Sequence, residues 1–226
     1  MLGEILLNLL QGFGNTFILF AVTLVLALPL GLIISFGSMS KIKPIKYVLK
    51  LFIWVIRGTP LMLQILLVSF LPKYLFASST KAWAAALGLS VSNMLFFFVI
   101  VAFVINYACY FSEIFRAGIE SIPKGQYEAG KVLGMSKSQI FFKIVLMQVV
   151  KNILPPMSNE TITLVKDTVL AFTLSVVDLL TAAKEAVNTF VTLSPLVYAA
   201  LFYLVFNGLL SVLFSKLEKK LSYYKV

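Results

Sequence analysis

Five apolar runs, each near the length of a helix that crosses hydrocarbon, leave this chain few folds to adopt. They cover residues 14–36, 51–71, 86–111, 152–180 and 195–214. A helix needs about 20 apolar residues to traverse a bilayer interior. Inside that interior only helices and closed barrels satisfy their own backbone polar groups. The pattern predicts an all-α, polytopic membrane protein with five transmembrane helices in a single domain over residues 1–226. Composition agrees, since 60% of the residues are hydrophobic and 12% charged, too little polar sequence to clothe a soluble surface. The opening MLGEILLNLL alternates polar and apolar faces at helical spacing, which predicts a short interfacial helix over 1–12. It lacks the basic start and small-residue cleavage site of a signal peptide. With one Cys and no His, disulfides and His/Cys metal sites have no residues to rest on. Cys109, inside an apolar run, reads as a small core residue.

Basic residues then orient the chain. Lys41, Lys43, Lys46 and Lys50 follow the first run, and Arg116, Lys124, Lys131, Lys137, Lys143 and Lys151 separate the third from the fourth. Lys216, Lys219, Lys220 and Lys225 close the sequence, so these three groups hold 14 of the 19 basic residues. The alternate loops hold only Lys73, Lys81 and Lys184. Cytoplasmic loops collect positive charge, which predicts an external N-terminus, a cytoplasmic C-terminus and a cytoplasmic segment 113–147. The net charge of +10 follows from this bias and calls for no nucleic-acid partner. The tail from Lys216 to Lys225 is expected to touch anionic membrane lipid.

Segment 113–147 is too polar to cross a bilayer, yet its apolar residues recur at helical spacing. At its centre lies GQYEAGKVLGMS, which predicts a helix over 126–133 with Gly134 at its C-cap. A compact basic helix on a loop of so apolar a protein has the character of a docking element for a soluble partner.

Charges within the runs point to a transport path, because an ionisable group in hydrocarbon is costly unless paired or wet. Arg57 precedes Gly58, Thr59 and Pro60, which reads as Thr at an N-cap and Pro at the first helical position. Such a helix start would aim its amides at an anion such as a carboxylate, with Gln64 one turn on. The plainer reading is an arginine snorkelling to the interface. In the fourth run, Asn159, Thr163, Lys166 and Asp167 are spaced to share a helical face, with Glu160 one step round. That stripe must face another helix or a polar cavity. A Lys166–Asp167 or Lys166–Glu160 pair that only holds the bundle together is the plainer alternative. Pro155-Pro156 is expected to break or sharply start this helix. The residues expected to meet substrate are Arg57, Thr59, Gln64, Asn159, Glu160, Thr163, Lys166 and Asp167. Five helices without an internal repeat are few for enclosing a hydrophilic path, so a second copy or a homologue is expected to complete it.

Three ordered segments, RGTPLMLQ (57–64), SEIFRAGIESIPKGQYEAGKVLGM (112–135) and NETITLVKDTVLAF (159–172), resemble the permease subunits of bacterial ABC importers for polar amino acids. The likeness runs from about residue 12 to 180. Its most specific part is Glu128-Ala129 followed by Gly134, which resembles the cytoplasmic EAA-type coupling loop of type I importers. The resemblance implies a multi-pass protein of the bacterial plasma (inner) membrane. It assigns Gly125, Tyr127, Glu128, Ala129, Gly130, Leu133 and Gly134 to docking against an ATPase. It further implies a second permease subunit, two ATP-binding subunits and an extracellular or periplasmic amino-acid-binding protein. The sequence carries no GxxxxGK[ST] loop, so ATP and its magnesium are expected on the partners and the chain is expected to be no enzyme. The cargo implied is a polar L-amino acid, with acidic groups near the path favouring a cationic one. Three positions depart from the family pattern: Gly130 and Met147 stand where Ala and Pro are usual, and Val169 where Ser is common. Gly130 is expected to loosen its helix by up to about 1 kcal/mol. An ion-coupled secondary amino acid transporter is the competing reading. The coupling-like segment and the lack of inverted repeats argue against it.

Overall fold

A computed structural model describes residues 2–221, and among these every regular element is helical. Lys225, part of the expected basic tail, lies outside the described residues. The elements in chain order are α1 (Leu2–Ser38), α2 (Lys43–Gly58), α3 (Leu61–Phe76), α4 (Thr80–Ala86), α5 (Val91–Glu120), α6 (Lys124–Val132), α7 (Lys137–Ile140), α8 (Leu146–Asp167), α9 (Leu179–Phe190) and α10 (Ser194–Leu221). A π-helical turn, Phe141–Val145, joins α7 to α8, and a 3-10 turn, Thr168–Leu174, extends α8.

Four helical stretches, Leu2–Ser38, Val91–Glu120, Lys137–Leu174 and Ser194–Leu221, are long and apolar enough to cross a membrane. A fifth is the bent pair α2–α3, whose axes turn by 111° at the break. The expected second run is therefore broken into two helices, because the Gly58-Thr59-Pro60 sequence removes a side chain and then a backbone donor. The interfacial helix expected over 1–12 is likewise not separate. It is the first third of α1, and its buried Ile5, Leu9 and Gly12 continue into the buried face of the span through Thr16 and Leu19. Gly12 lets α1 close on the segment before α9: a β-carbon there would lie 2.8 Å from the Asp178 carbonyl oxygen.

α5 is the central post, packed against α1, α3 and α8 with Phe103, Tyr107 and Phe111 fully enclosed. Lipid tails are as apolar as leucine, so helices in a bilayer associate through close packing and small residues. Along α1 the buried positions include Gly12, Thr16, Thr23, Ala27, Gly31 and Ser35. At Gly31 a β-carbon would sit 2.8 Å from the Ala108 carbonyl oxygen of α5. α10 buries little beyond Pro195 and Ala199. It packs mainly along α8 and α9, and an aromatic cluster in which Phe206 packs edge-on to Phe13 and Phe20 ties it to α1.

The third and fourth runs also differ from expectation. α5 starts at Val91 and continues to Glu120, so the first part of segment 113–147 belongs to the span. α8 is continuous through Pro155 and Pro156. Both prolines are exposed and line a polar groove. The helix persists although each proline removes one backbone donor.

Candidate functional site

The break between α2 and α3 is built by Gln64. Its side chain is 7% exposed, and its amide donates to the Ile56 carbonyl at 2.7 Å, the Thr59 carbonyl at 3.1 Å and the Thr59 hydroxyl at 2.8 Å. These are among the acceptors that the end of α2 leaves without intrahelical partners. The Gln64 carbonyl oxygen accepts from Asn106 of α5 at 3.0 Å. Helix α3 begins one residue later than expected. Pro60 is the N-cap, and Thr59 closes α2 by donating back to the Val55 carbonyl at 3.0 Å. The consequence is functional as well as local. The positive end of α3 is turned toward α5 and α8, and Arg57 stands beside it.

A cavity of about 530 Å³ opens there, lined by Arg57, Gly58, Thr59, Pro60 and Leu61 on one side. Asn106, Tyr107 and Tyr110 of α5, Glu160, Thr163 and Asp167 of α8, and Leu170 complete its walls. One guanidinium and two carboxylates thus line the same cavity, a surplus of negative charge beside a helix N-terminus. Tyr107 donates its hydroxyl to Asp167 at 2.7 Å and is almost fully enclosed. The Arg57 guanidinium lies 5.0 Å from the centre of the Tyr110 ring, an attractive geometry for a cation.

A second cavity, about 720 Å³, shares Arg57, Tyr110 and Glu160 with the first and runs on past Glu113, Arg116, Lys151 and Asn152 to Ser121. The two make one polar track from the middle of the bundle to the end of α5. Along it, Arg116 forms a two-pronged pair with Glu113 (3.1 and 2.7 Å) and reaches Glu120 at 2.5 Å. Arg57 approaches Glu113 at 3.8 Å.

Of the residues expected to meet substrate, the cavity collects Arg57, Thr59, Glu160, Thr163 and Asp167. Gln64, Asn159 and Lys166 are not among its walls. At about 100° per residue, Glu160 and Asp167 fall within about 20° of one another, while Asn159 and Lys166 lie about 80–120° round the helix from them. The shared face is therefore 160, 163 and 167, and Asn159 and Lys166 occupy the exposed flank. Among the described residues Lys166 makes no ion pair with Asp167 or Glu160, although its charge acts on Asp167. Asn106, Tyr107 and Tyr110 lie outside the sequence-derived set. Asn106, Tyr110 and Glu113 recur at i, i+4, i+7 within an apolar run, a polar stripe that periodicity alone exposes.

The loop end of the molecule is equally specific. α6 starts two residues before the expected helix and ends in a Schellman motif. The Gly134 N–H donates to the Lys131 carbonyl at 2.9 Å and the Met135 N–H to the Gly130 carbonyl at 3.0 Å, with Gly134 at φ +71°. That left-handed conformation is why glycine stands there. Tyr127 is half-buried against Ile122, Ile140, Val145 and Val149. Gly130 is buried, and a β-carbon there would lie 2.6 Å from Ile140 Cγ1. Those two residues fasten α6 to α7 and α8. Gly125, Glu128, Ala129, Leu133 and Gly134 are exposed, with Val132 and Leu133 at 87% and 76% exposure. Apolar side chains so bare on a basic loop form a surface that fits a protein partner.

The family described as binding-protein-dependent transport system inner membrane component matches residues 27–223. An L-cystine transport system permease of Bacillus subtilis (strain 168) is 36% identical over 197 residues, covering 86% of this chain and 78% of the relative. An arginine transport system permease of the same organism is 34% identical over 215 residues, 94% of this chain and 92% of that one. Among solved structures, an amino acid ABC transporter crystallised with histidines superposes with a TM-score of 0.79 at 29% identity, covering 97% and 96% of the two chains.

Proposed function

The chain belongs to the binding-protein-dependent transport system inner membrane components, as an amino acid ABC transporter permease of the bacterial inner membrane, and on that premise we propose that it lines the path of a polar L-amino acid with a preference for cationic side chains. The observation that carries this reading is the cavity in which Arg57 and the α3 N-terminus oppose Glu160 and Asp167. A zwitterion fits such a site end to end. Its carboxylate takes the guanidinium and the positive helix end, and its ammonium takes one carboxylate. The second carboxylate then favours a cationic side chain. Thr59, Thr163, Asn106 and Tyr110 supply hydrogen-bonding groups around it.

Permeases of this family work with a second permease subunit, two ATP-binding subunits and an extracellular or periplasmic binding protein. In this reading ATP and magnesium are held by the partners, and the exposed α6 tip, with Glu128, Ala129, Val132 and Leu133, docks on one ATPase. The excess of lysine and arginine on the α6 end puts that end in the cytoplasm and the N-terminus outside. Movement of α6 passes to the cavity by two covalent routes: backward through α5, which carries Tyr110 and Tyr107, and forward through α7 and α8, which carries Glu160 and Asp167.

The decisive experiment is amino-acid-dependent ATP hydrolysis in liposomes containing this chain, its ATPase and its binding protein. Stimulation by arginine, lysine or histidine above that by glutamine or glutamate is expected. Stimulation by acidic amino acids alone would overturn the substrate class. Transport driven by an ion gradient with no ATPase bound would overturn the mechanism.

A further inference from the structure

α2 lies across the bundle. Its axis turns by 111° from that of α3, and α3 runs along α5, joined to it through Gln64 and Asn106. The N-terminal half of α2 sits over the end of α1, where Ile45 and Leu49 crowd Gly37. Its C-terminal end meets Tyr110 and Glu113 of α5. The helix is thus placed at the end of the molecule from which α5 leads into α6.

Three sectors divide its circumference. Leu49, Ile53 and Ile56 are buried or half-buried against the bundle, with half-buried Lys46 at the edge of that sector. Lys43, Lys46, Lys50 and Arg57 fall within about 60° of one another on the helical wheel, with Tyr47 and Trp54 on the border of that stripe. Val48, Leu51, Phe52 and Val55 fill the remaining arc, all exposed. Trp54 is itself 72% exposed. A basic stripe edged by Trp and Tyr above an apolar arc is the pattern of a helix lying in the membrane interface. Between α2 and α5 a cleft of about 280 Å³ is lined by Lys50, Ile53, Trp54, Arg57, Glu113 and Arg116. Arg116 is engaged by Glu113 and Glu120, and Arg57 by Glu113 and the Tyr110 ring. Among the described residues Lys43, Lys46 and Lys50 make no ion pair.

We propose that α2 is an in-plane helix that seats an anionic phospholipid, its headgroup phosphate in the cleft at Lys50 beside Trp54 and its acyl chains along Val48, Leu51 and Val55. Charge complementarity selects this occupant. Glu113 is the one carboxylate in the cleft and is shared among Lys50, Arg57 and Arg116, so the cations outnumber it beside an apolar arc that needs hydrocarbon, and an anionic phospholipid supplies both at once. Basic pockets between helix ends bind such headgroups in other membrane proteins. The inference rests on the membrane placement and not on the identity of the transported amino acid.

Trp54 reports on the site directly. The chain has two tryptophans, so Trp83→Phe leaves Trp54 alone, and the phenyl ring keeps the packing against Phe76. The full chain would be reconstituted in phosphatidylcholine vesicles doped at equal mole fraction with brominated phosphatidylglycerol or brominated phosphatidylcholine. Stronger quenching of Trp54 by the brominated anionic lipid is expected, by about fivefold in apparent affinity for each lysine engaged. Lys46→Gln with Lys50→Gln should bring the two lipids to parity while the circular dichroism stays unchanged. Equal quenching by both lipids before mutation would overturn the proposal. Absence of quenching by either would also overturn it, by showing that protein covers this face. Loss of the preference in inorganic phosphate, but not in chloride of equal ionic strength, would reassign the cleft to free phosphate and overturn the lipid assignment.

Discussion

At the scale of single residues, the site depends on a division of labour among polar groups that look alike in sequence. Glu160 and Asp167 face the cavity, and Tyr107 holds Asp167 in place with its hydroxyl. Glu160→Gln keeps the shape and removes the charge. It should raise the half-saturating amino acid concentration for ATPase stimulation by tenfold or more, since removing one partner of a buried charge pair costs about 2–5 kcal/mol. An unchanged concentration would take Glu160 out of the site. Gln64 serves a different purpose, because all its hydrogen-bonding capacity is spent on the α2–α3 break and on Asn106. Gln64→Leu would strand several polar groups, each at about 1–3 kcal/mol, so a clear drop in thermal unfolding temperature in detergent is expected. A variant as stable as the parent would mean that the break is held by other contacts.

At the scale of elements, α6 shows how a departure from a family pattern is absorbed. Glycine at 130 should weaken a helix by about 1 kcal/mol relative to alanine, but Ile140 occupies the room a methyl group would need. Gly130→Ala alone is therefore expected to give no gain, because overpacking costs about 1–3 kcal/mol. In an Ile140→Ala background the same substitution should stabilise by about 1 kcal/mol. Thermal unfolding of the four members of this cycle measures the coupling, and additive effects would show that the two side chains do not compete. The exposed tip behaves oppositely. Val132→Asp with Leu133→Asp should leave the fold of this chain within about 0.5 kcal/mol of the parent. The same pair should abolish co-purification of the ATPase, and retained co-purification would remove the tip from the docking surface.

At the scale of the whole molecule, four long helices and one sharply bent pair form a bundle around α5 with wide apolar faces open to lipid. The track from the Arg57 cavity to Ser121 is lined by residues of α2, α5 and α8 and by the α2–α3 break. The orientation can be tested directly. In a Cys109→Ser background, Leu2→Cys is expected to react with an impermeant thiol reagent in intact cells, and Glu218→Cys only after the membrane is opened. The reverse pattern would invert the topology and put α6 on the wrong side for an ATPase.

How much of this was legible in the sequence differs between elements for a physical reason. Hydrocarbon imposes length and apolarity on a helix one residue at a time, so the spans, the charge bias and the compact helix before Gly134 could be read from local pattern. The glycine at 134 announced its left-handed turn because few other residues adopt that backbone at low cost. The face of α8 needed more. Glu160 and Asp167 share an orientation that helical geometry implies, yet only the packing of α5 decides which flank of the helix becomes cavity and which leaves Asn159 and Lys166 exposed. Continuity was also beyond local reading. α1 runs unbroken because its first turns find α9 to pack on, and α8 continues through two prolines that lie on its exposed side. A basic-ended bundle of membrane helices with a compact helix on its polar loop could be read directly from the residues, since those properties reside in single residues and their near neighbours. That α2 turns across the bundle, and that Arg57 lines one cavity with Glu160 and Asp167, came from the packing of distant segments. Such arrangements depend on side chains far apart in the chain, and no local pattern encodes them.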